Sequence, residues 1–172
     1  MNNLWKRNIT RFLFLLAIQL ILLKRVDISF EGFNYIHFTI YPLALALLPH
    51  NLSKTAVVFI GFLLGFFVDM FYDTIGIHAA TCTLVAYLRP YLLNYISPAE
   101  GYKKEGLTAY SYGLPWFMSY LGLFLFIHLL GLYSLEAFSF VYFKEIVLRT
   151  IFSFLASLFI IVIGSLIFNP KY

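Results

Sequence analysis

Apolar runs separated by short polar or Pro/Gly-containing breaks fill almost the whole chain. A helix that crosses the roughly 30 Å hydrocarbon core of a membrane needs about 20 predominantly apolar residues. Six runs approach this length, at residues 9–23, 35–48, 55–71, 77–96, 114–132 and 146–168. The pattern therefore predicts an all-α, polytopic membrane helix bundle with about six transmembrane helices. The second run is the weakest candidate, because it is short and contains Pro42, which cannot donate a backbone hydrogen bond.

The basic residues bear on whether the second run crosses. Cytoplasmic loops of membrane proteins carry an excess of Lys and Arg. If the second run does not cross, five of the 12 basic residues lie inside and seven outside. If all six runs cross from a cytoplasmic N-terminus, four lie outside (Lys24, Arg25, Lys144, Arg149) and eight inside: Lys6, Arg7, Arg11, Lys54, Arg89, Lys103, Lys104 and Lys171. The charge distribution favours six crossings with both the N- and the C-terminus in the cytoplasm.

The composition is typical of an integral membrane protein. Of the 172 residues, 62% are hydrophobic and 12% are charged, whereas about 25% are charged in soluble domains. The mean hydropathy is +0.86. No polar stretch reaches the roughly 50 residues of a small soluble domain, so we expect residues 1–172 to form one integral membrane domain. The cytoplasmic loops account for the net charge of +4, so we expect membrane lipids, and no nucleic acid, as partners.

Residues of the kinds used in catalysis or metal binding are sparse. The four histidines show no paired spacing typical of a metal site, and the single cysteine, Cys82, lies in an apolar run. Ser111 and Ser119 lack the flanking motif of a nucleophile elbow. We therefore expect no enzymatic activity, no metal and no cofactor.

Two glycines and two carboxylates follow one another at four-residue spacing in and just after the third run. Gly61, Gly65, Asp69 and Asp73 would lie along one face of an α-helix. Glycines in such a stripe allow another helix to approach closely. Packing inside the bundle is the first interpretation of this face, and contact with a ligand or another protein is the second. Asp73 falls at the predicted helix end, where it caps the next turn or faces water.

Asp69 needs a compensating partner. A charged side chain near the centre of the bilayer costs about 2.5 to 3.5 kcal/mol on insertion scales. Two candidates lie at a similar predicted depth: His78, just past the turn, and Arg149, about one turn into the last run. We predict that Asp69 contacts one of these two residues, with Arg149 as the candidate ion-pair partner.

The same segment carries a family resemblance. Residues 61–79 read GFLLGFFVDMFYDTIGIHA, and the pattern G-x3-G-x3-D, followed by a short turn and G-x-H-A, resembles the most recognisable stretch of the bacterial rod shape-determining protein MreD family. The chain length, the basic start and Pro42 in the second run are also similar to that family. The resemblance implies that the functional surface comprises Gly61, Gly65, Asp69, Gly76 and His78.

Membership of that family would imply a non-enzymatic component of the cell-elongation (rod shape) machinery in the bacterial cytoplasmic (inner) membrane. Such a component binds MreC, works indirectly with MreB, RodA and a class B penicillin-binding protein, and supports peripheral peptidoglycan synthesis and cell-shape control. The implied fold is similar to that of the six-helix substrate-binding components of energy-coupling-factor transporters. On this hypothesis, the glycine face and Asp69 shape an outward-facing pocket or groove that docks the transmembrane and membrane-proximal part of MreC.

A second function stays open. The chain is alternatively a small-molecule carrier, or the substrate-binding membrane subunit of a transporter. In that case Asp69, His78 and Arg149 would line a solute pocket rather than a protein groove.

Overall fold

The computed structural model describes residues 2–25, 27–30, 33–102 and 107–168, which are mostly helical. The long helices are α1 (Asn2–Ile21), α3 (Lys54–Tyr72), α4 (Ile77–Tyr95), α6 (Leu114–Ala137) and α7 (Phe143–Phe168). The shorter elements are α2 (Leu43–Ala46), α5 (Ala109–Tyr112), strands β1 (Asp27–Phe30) and β2 (Phe33–His37), and two 3-10 turns at Leu23–Arg25 and Phe140–Tyr142. The two strands pair in an antiparallel hairpin between α1 and α2.

Within the described residues, three helices are long and apolar enough to cross a membrane: Lys54–Tyr72, Leu114–Ala137 and Phe143–Gly164. The other two long helices fall short for identifiable reasons. The apolar part of α1, Ile9–Ile21, is shorter than a full span. Helix α4 is less apolar, because its sequence includes Arg89 and Asn94.

Residues 35–48 do not form the spanning helix that the hydropathy pattern predicts. Strand β2 ends at His37 and α3 begins at Lys54. Between them lies a mostly irregular stretch, residues 38–53, in which α2 has only four residues. Pro42 stands at the N-terminal boundary of α2, where a residue without a backbone N–H is tolerated. The prediction of a helix over this run is therefore wrong.

The stretch between β2 and α3 is held inside the bundle by side chains of α1 and α7. Irregular backbone at membrane depth needs such partners, because lipid supplies no hydrogen bonds. Gln19 accepts a hydrogen bond from the Ile40 N–H over 2.8 Å and donates one to the Phe38 carbonyl over 3.0 Å. The Ser157 hydroxyl accepts from the Thr39 N–H over 2.8 Å. These bonds replace those that a regular helix would make within itself.

This irregular stretch runs alongside α4. Tyr41 hydrogen-bonds to His78 in the first turn of α4, whereas the Leu48 carbonyl accepts a hydrogen bond from Arg89, about two thirds of the way along that helix. The 11-residue separation of His78 and Arg89 corresponds to about 16 Å of helix. Between Tyr41 and Leu48 the chain therefore follows part of the length of α4 without forming a long helix.

Large aromatic side chains divide between the centre and the outside of the bundle. The centre contains side chains that are at most 2% exposed: Tyr41, Phe117, Tyr120, Phe124 and Tyr133. The outer faces of α3 and α7 expose Phe59, Phe62, Phe66, Phe67, Phe152 and Phe159, together with the aliphatic side chains of Met70 and Leu155. Contiguous exposed apolar surface of this kind is unusual for a soluble monomer. Together with the three long apolar helices, it indicates a membrane protein.

Candidate functional site: the α3–α4 junction and the adjoining cavity

The glycine face of α3 packs directly against α4. A Cβ atom added at Gly61 would lie 2.8 Å from the Ala86 Cβ and 2.9 Å from the Cys82 carbonyl oxygen. At Gly65 it would lie 2.5 Å from the Ala79 Cα and would overlap the carbonyl of residue 78. Glycine is therefore required at both positions by the approach of the two helices. The structure thus agrees with the first interpretation of this face, packing inside the bundle, and α4 of the same chain covers it.

Asp69 is buried and caps the N-terminus of α4. Its Oδ1 accepts hydrogen bonds from the His78 N–H over 3.0 Å and from the Thr74 hydroxyl, and its Oδ2 accepts from the Ala79 N–H over 2.8 Å. The first N–H groups of a helix have no partners within it, and its positive dipole end favours a carboxylate. The predicted contact with His78 is confirmed, although it is made through the backbone N–H.

The turn between α3 and α4 depends on two residues with a left-handed backbone. Asp73 ends α3 with a φ of 55°, and Gly76 precedes α4 with a φ of 76°. A Cβ added at Gly76 would meet no atom within 4 Å. Its requirement for glycine is therefore conformational, since other residues rarely adopt this region. The predicted position of Asp73 at the helix end is confirmed, and its side chain is exposed.

Arg149 pairs with a different carboxylate from the one predicted. Its Nη2 lies 3.0 Å from the Glu136 Oε1, so the ion pair joins α7 to α6. The guanidinium also lies over the Tyr133 ring, 4.6 Å from its centroid. The predicted ion pair of Arg149 with Asp69 is wrong, because backbone N–H groups of α4 and the Thr74 hydroxyl occupy the Asp69 carboxylate instead.

His78, the last motif residue, belongs to a buried hydrogen-bonded triad. The Tyr41 hydroxyl lies 2.9 Å from the His78 Nδ1 and 2.7 Å from the His128 Nε2. Because a hydroxyl has a single proton to donate, Tyr41 donates to one imidazole and accepts from the other. The triad ties the irregular stretch to α4 and α6. Sequence reasoning missed Tyr41 and treated His128 as isolated; the available signal was a polar side chain within an apolar run.

A cavity of about 240 Å3 lies beside this triad, at the end of the bundle where the α3–α4 turn is found. Polar and aromatic side chains from several helices, from β2 and from the irregular stretch line it, among them Gln19, His37, Tyr41, Tyr72, Glu136 and Arg149. His78 also lines it, so one motif residue reaches a space that a small molecule could enter.

An apolar groove of about 400 Å3 lies elsewhere in the bundle, between α1 and α7. Its walls include Phe14, Leu15 and Ile18 from α1, Leu43 from α2, and Ile160 and Gly164 from α7. A Cβ added at Gly164 would meet no atom of the described residues within 4 Å. The groove therefore has free space next to α7.

Among the residues that the structure describes, no group of three or more His, Cys, Asp or Glu side chains could hold a metal ion. In comparisons with known proteins, no family model matches this chain, and no curated protein and no solved structure is significantly similar to it.

Proposed function

We propose that this chain is a non-enzymatic membrane component of the bacterial cell-elongation machinery, similar to MreD, which binds MreC in the cytoplasmic membrane. Through MreC it would act with MreB, RodA and a class B penicillin-binding protein in peripheral peptidoglycan synthesis. One observation carries the proposal: every residue of the resembling motif has a specific role at a single junction. Gly61 and Gly65 admit α4, Asp69 caps it, Gly76 forms the turn, and His78 joins the triad.

The proposed orientation has both termini in the cytoplasm. The irregular stretch accompanies α4 from Tyr41 to Leu48, so it can carry the chain from one membrane surface towards the other without a long helix. With this passage counted as a crossing, eight of the 12 basic residues lie on the cytoplasmic side, as the positive-inside bias favours. The likeness to energy-coupling-factor substrate-binding components is part of the proposal and rests on the motif resemblance of residues 61–79.

MreC requires a docking surface other than the glycine face, which α4 covers. We assign the α1–α7 groove to the single transmembrane helix of MreC. The groove is almost wholly apolar in its lining, and Gly164 leaves space for close approach of a helix, as small residues do at helix interfaces in membranes.

Co-purification with MreC from the same genome tests this proposal. Gly164→Phe fills the groove, and its Cβ meets no neighbouring atom in the part of the chain that the structure describes. We expect it to abolish MreC capture. Ile163→Phe is the matched control, because residue 163 is 40% exposed and lies outside the groove lining. Capture by both variants would contradict the docking site alone. Absence of MreC capture by the unsubstituted protein would contradict the proposed function itself.

The polar cavity favours a second candidate function, that of a small-molecule carrier or substrate-binding membrane subunit. Ligand pockets combine a mainly hydrophobic or aromatic wall with a few placed polar groups, and this cavity has both. Mass spectrometry of small molecules released from the purified protein tests this function. A stoichiometric endogenous ligand, or a co-purifying ATPase module, would support it over the MreC-binding role.

A further inference from the structure

The cavity beside the triad presents one positive and one negative side chain from facing helices. Arg149 of α7 and Glu136 of α6 both line it, and they pair over 3.0 Å. Their side chains are 23% and 43% exposed, respectively. An ion pair with this much exposure contributes little to stability, because water screens both charges. A ligand that carries both charges can therefore replace the pair at little cost.

The Arg149 guanidinium is positioned to bind a carboxylate. Its Nε is buried and has no hydrogen-bond acceptor among the described residues. The guanidinium lies 4.6 Å from the centroid of the Tyr133 ring, and this contact limits its orientation. A guanidinium can offer two parallel N–H donors to one carboxylate, an arrangement that adds both energy and geometric selectivity.

The remaining walls and the size of the cavity limit the rest of the ligand. Tyr72, Ile77, Leu132 and Tyr133 provide aromatic and aliphatic surface, which suits an apolar side chain. The volume of about 240 Å3 is below the about 300 to 1,000 Å3 of pockets for drug-sized ligands. The ligand is therefore small.

We propose that this cavity binds a small zwitterion with an apolar side chain, such as a free amino acid, whose carboxylate is held by Arg149 and whose ammonium group is held by Glu136. A ligand with only one charge would leave Arg149 or Glu136 without its partner, and that loss provides the selectivity. This inference deepens the second candidate function and rests on it, and it does not depend on MreC binding.

Equilibrium dialysis with radiolabelled probes on the full-length protein in nanodiscs tests the ligand class. L-Leucine is the zwitterionic probe, isoamylamine has the cation alone, and 4-methylvalerate has the anion alone. We expect saturable binding of one L-leucine per chain, and at least tenfold weaker binding of the two singly charged probes.

The variants locate the site. Glu136→Gln and Arg149→Gln should each weaken L-leucine binding at least tenfold, and Arg149→Lys, which keeps the charge without the two-pronged donor, should weaken it as well. Glu145→Gln is the matched control, because Glu145 lies in the first turn of α7 outside the cavity lining. This variant should bind L-leucine as the unsubstituted protein does. Thermal unfolding without ligand identifies any variant that has lost its fold. If Arg149→Gln does not fold, Arg149→Lys and Glu136→Gln still test the site.

The results separate the ligand class, the location of the site and the carrier function. Equal binding of 4-methylvalerate or isoamylamine would overturn the zwitterion class while a carrier function stood. Saturable L-leucine binding that no variant weakens would overturn the location. Absence of saturable binding by all three probes would overturn the proposed ligand class; an endogenous ligand found by mass spectrometry would then still support a carrier, whereas its absence would remove that function too.

Discussion

The Asp69 carboxylate of α3 accepts a hydrogen bond from the backbone N–H of Ala79 over 2.8 Å, so the end of one helix caps the beginning of the next. Replacing Asp69 with Ala would leave this N–H and that of His78 without their acceptor. An unsatisfied buried donor costs about 1 to 3 kcal/mol, and the loss of a cap about 0.5 to 2 kcal/mol. We therefore expect Asp69→Ala to lower the thermal unfolding midpoint in detergent by several degrees.

Asp73→Asn is the matched control for that substitution. Asp73 is exposed and has a left-handed backbone, a conformation that Asn also adopts readily. We expect the free energy of unfolding to change by no more than about 0.5 kcal/mol. Equal midpoints for Asp69→Ala and the unsubstituted protein would show that the carboxylate does not stabilise the junction.

Because α3 and α4 approach each other closely, a single methyl group at residue 65 should lower the free energy of unfolding. In Gly65→Ala, the new Cβ would overlap backbone atoms of residues 78 and 79, which cannot move aside as a flexible side chain does. Overpacking of this kind typically costs about 1 to 3 kcal/mol. The measurement is the unfolding free energy in a mixed detergent system, followed by tryptophan fluorescence.

Gly164→Ala is the corresponding control, since among the described residues no atom lies within 4 Å of a Cβ at residue 164. Relative to glycine, alanine favours a helix interior by up to about 1 kcal/mol. The unfolding free energy of this variant should therefore equal or exceed that of the unsubstituted protein. If Gly65→Ala were equally well tolerated, the contact between the two helices would not be as close as the structure has it.

Most of the helical architecture could be predicted from hydropathy. The predicted runs 55–71 and 77–96 agree with α3 and α4 to within one residue at either end. The run 114–132 begins where α6 begins, and the run 146–168 ends where α7 ends. These boundaries follow local signals: Ser53 caps the start of α3 by accepting from the Ala56 N–H, and Gly113 precedes α6.

The irregular stretch could not be predicted, because its stability depends on distant residues. Gln19 and Ser157 hydrogen-bond to the backbone at residues 38–40 from helices near opposite ends of the chain. No local hydropathy pattern distinguishes a buried segment held in this way from a short spanning helix. For the same reason, the four-residue helical spacing could place Asp69 on the glycine face, but could not show that α4 would supply its partners and leave Arg149 to Glu136.

The Tyr41 hydroxyl makes the central contact of the buried triad, so its removal should be costly. Tyr41→Phe keeps the ring and leaves the His78 Nδ1 and the His128 Nε2 without the hydroxyl. We expect a loss of about 1 to 3 kcal/mol in the free energy of unfolding, and faster hydrogen exchange in α2. Tyr95→Phe, at a position that is 84% exposed, should change neither quantity. A Tyr41→Phe variant with unchanged stability would show that the triad contributes nothing to the fold.

The folding stability should depend on pH through His50, which lies in the loop before α3. Partial burial, and secondarily the positive charge of Arg89, lower the pKa of His50 below its ordinary 6.5. The imidazole stacks on the Tyr102 ring at 4.5 Å between centroids. Because the unfolded chain then binds this proton more tightly than the folded chain, the contribution of His50 to stability is intact above pH 6.5 and is lost as the pH falls below that value.

An NMR titration of the His50 imidazole in nanodiscs measures this directly, with His50→Gln to assign the resonance. We expect a midpoint below 6.5. Tyr102→Leu removes the stacked ring and increases exposure of the imidazole, so the midpoint should move up towards that ordinary value, since burial is the larger cause of the shift. A midpoint at or above 6.5 in the unsubstituted protein would mean that neither the ring nor the Arg89 charge acts on His50 as the structure places them.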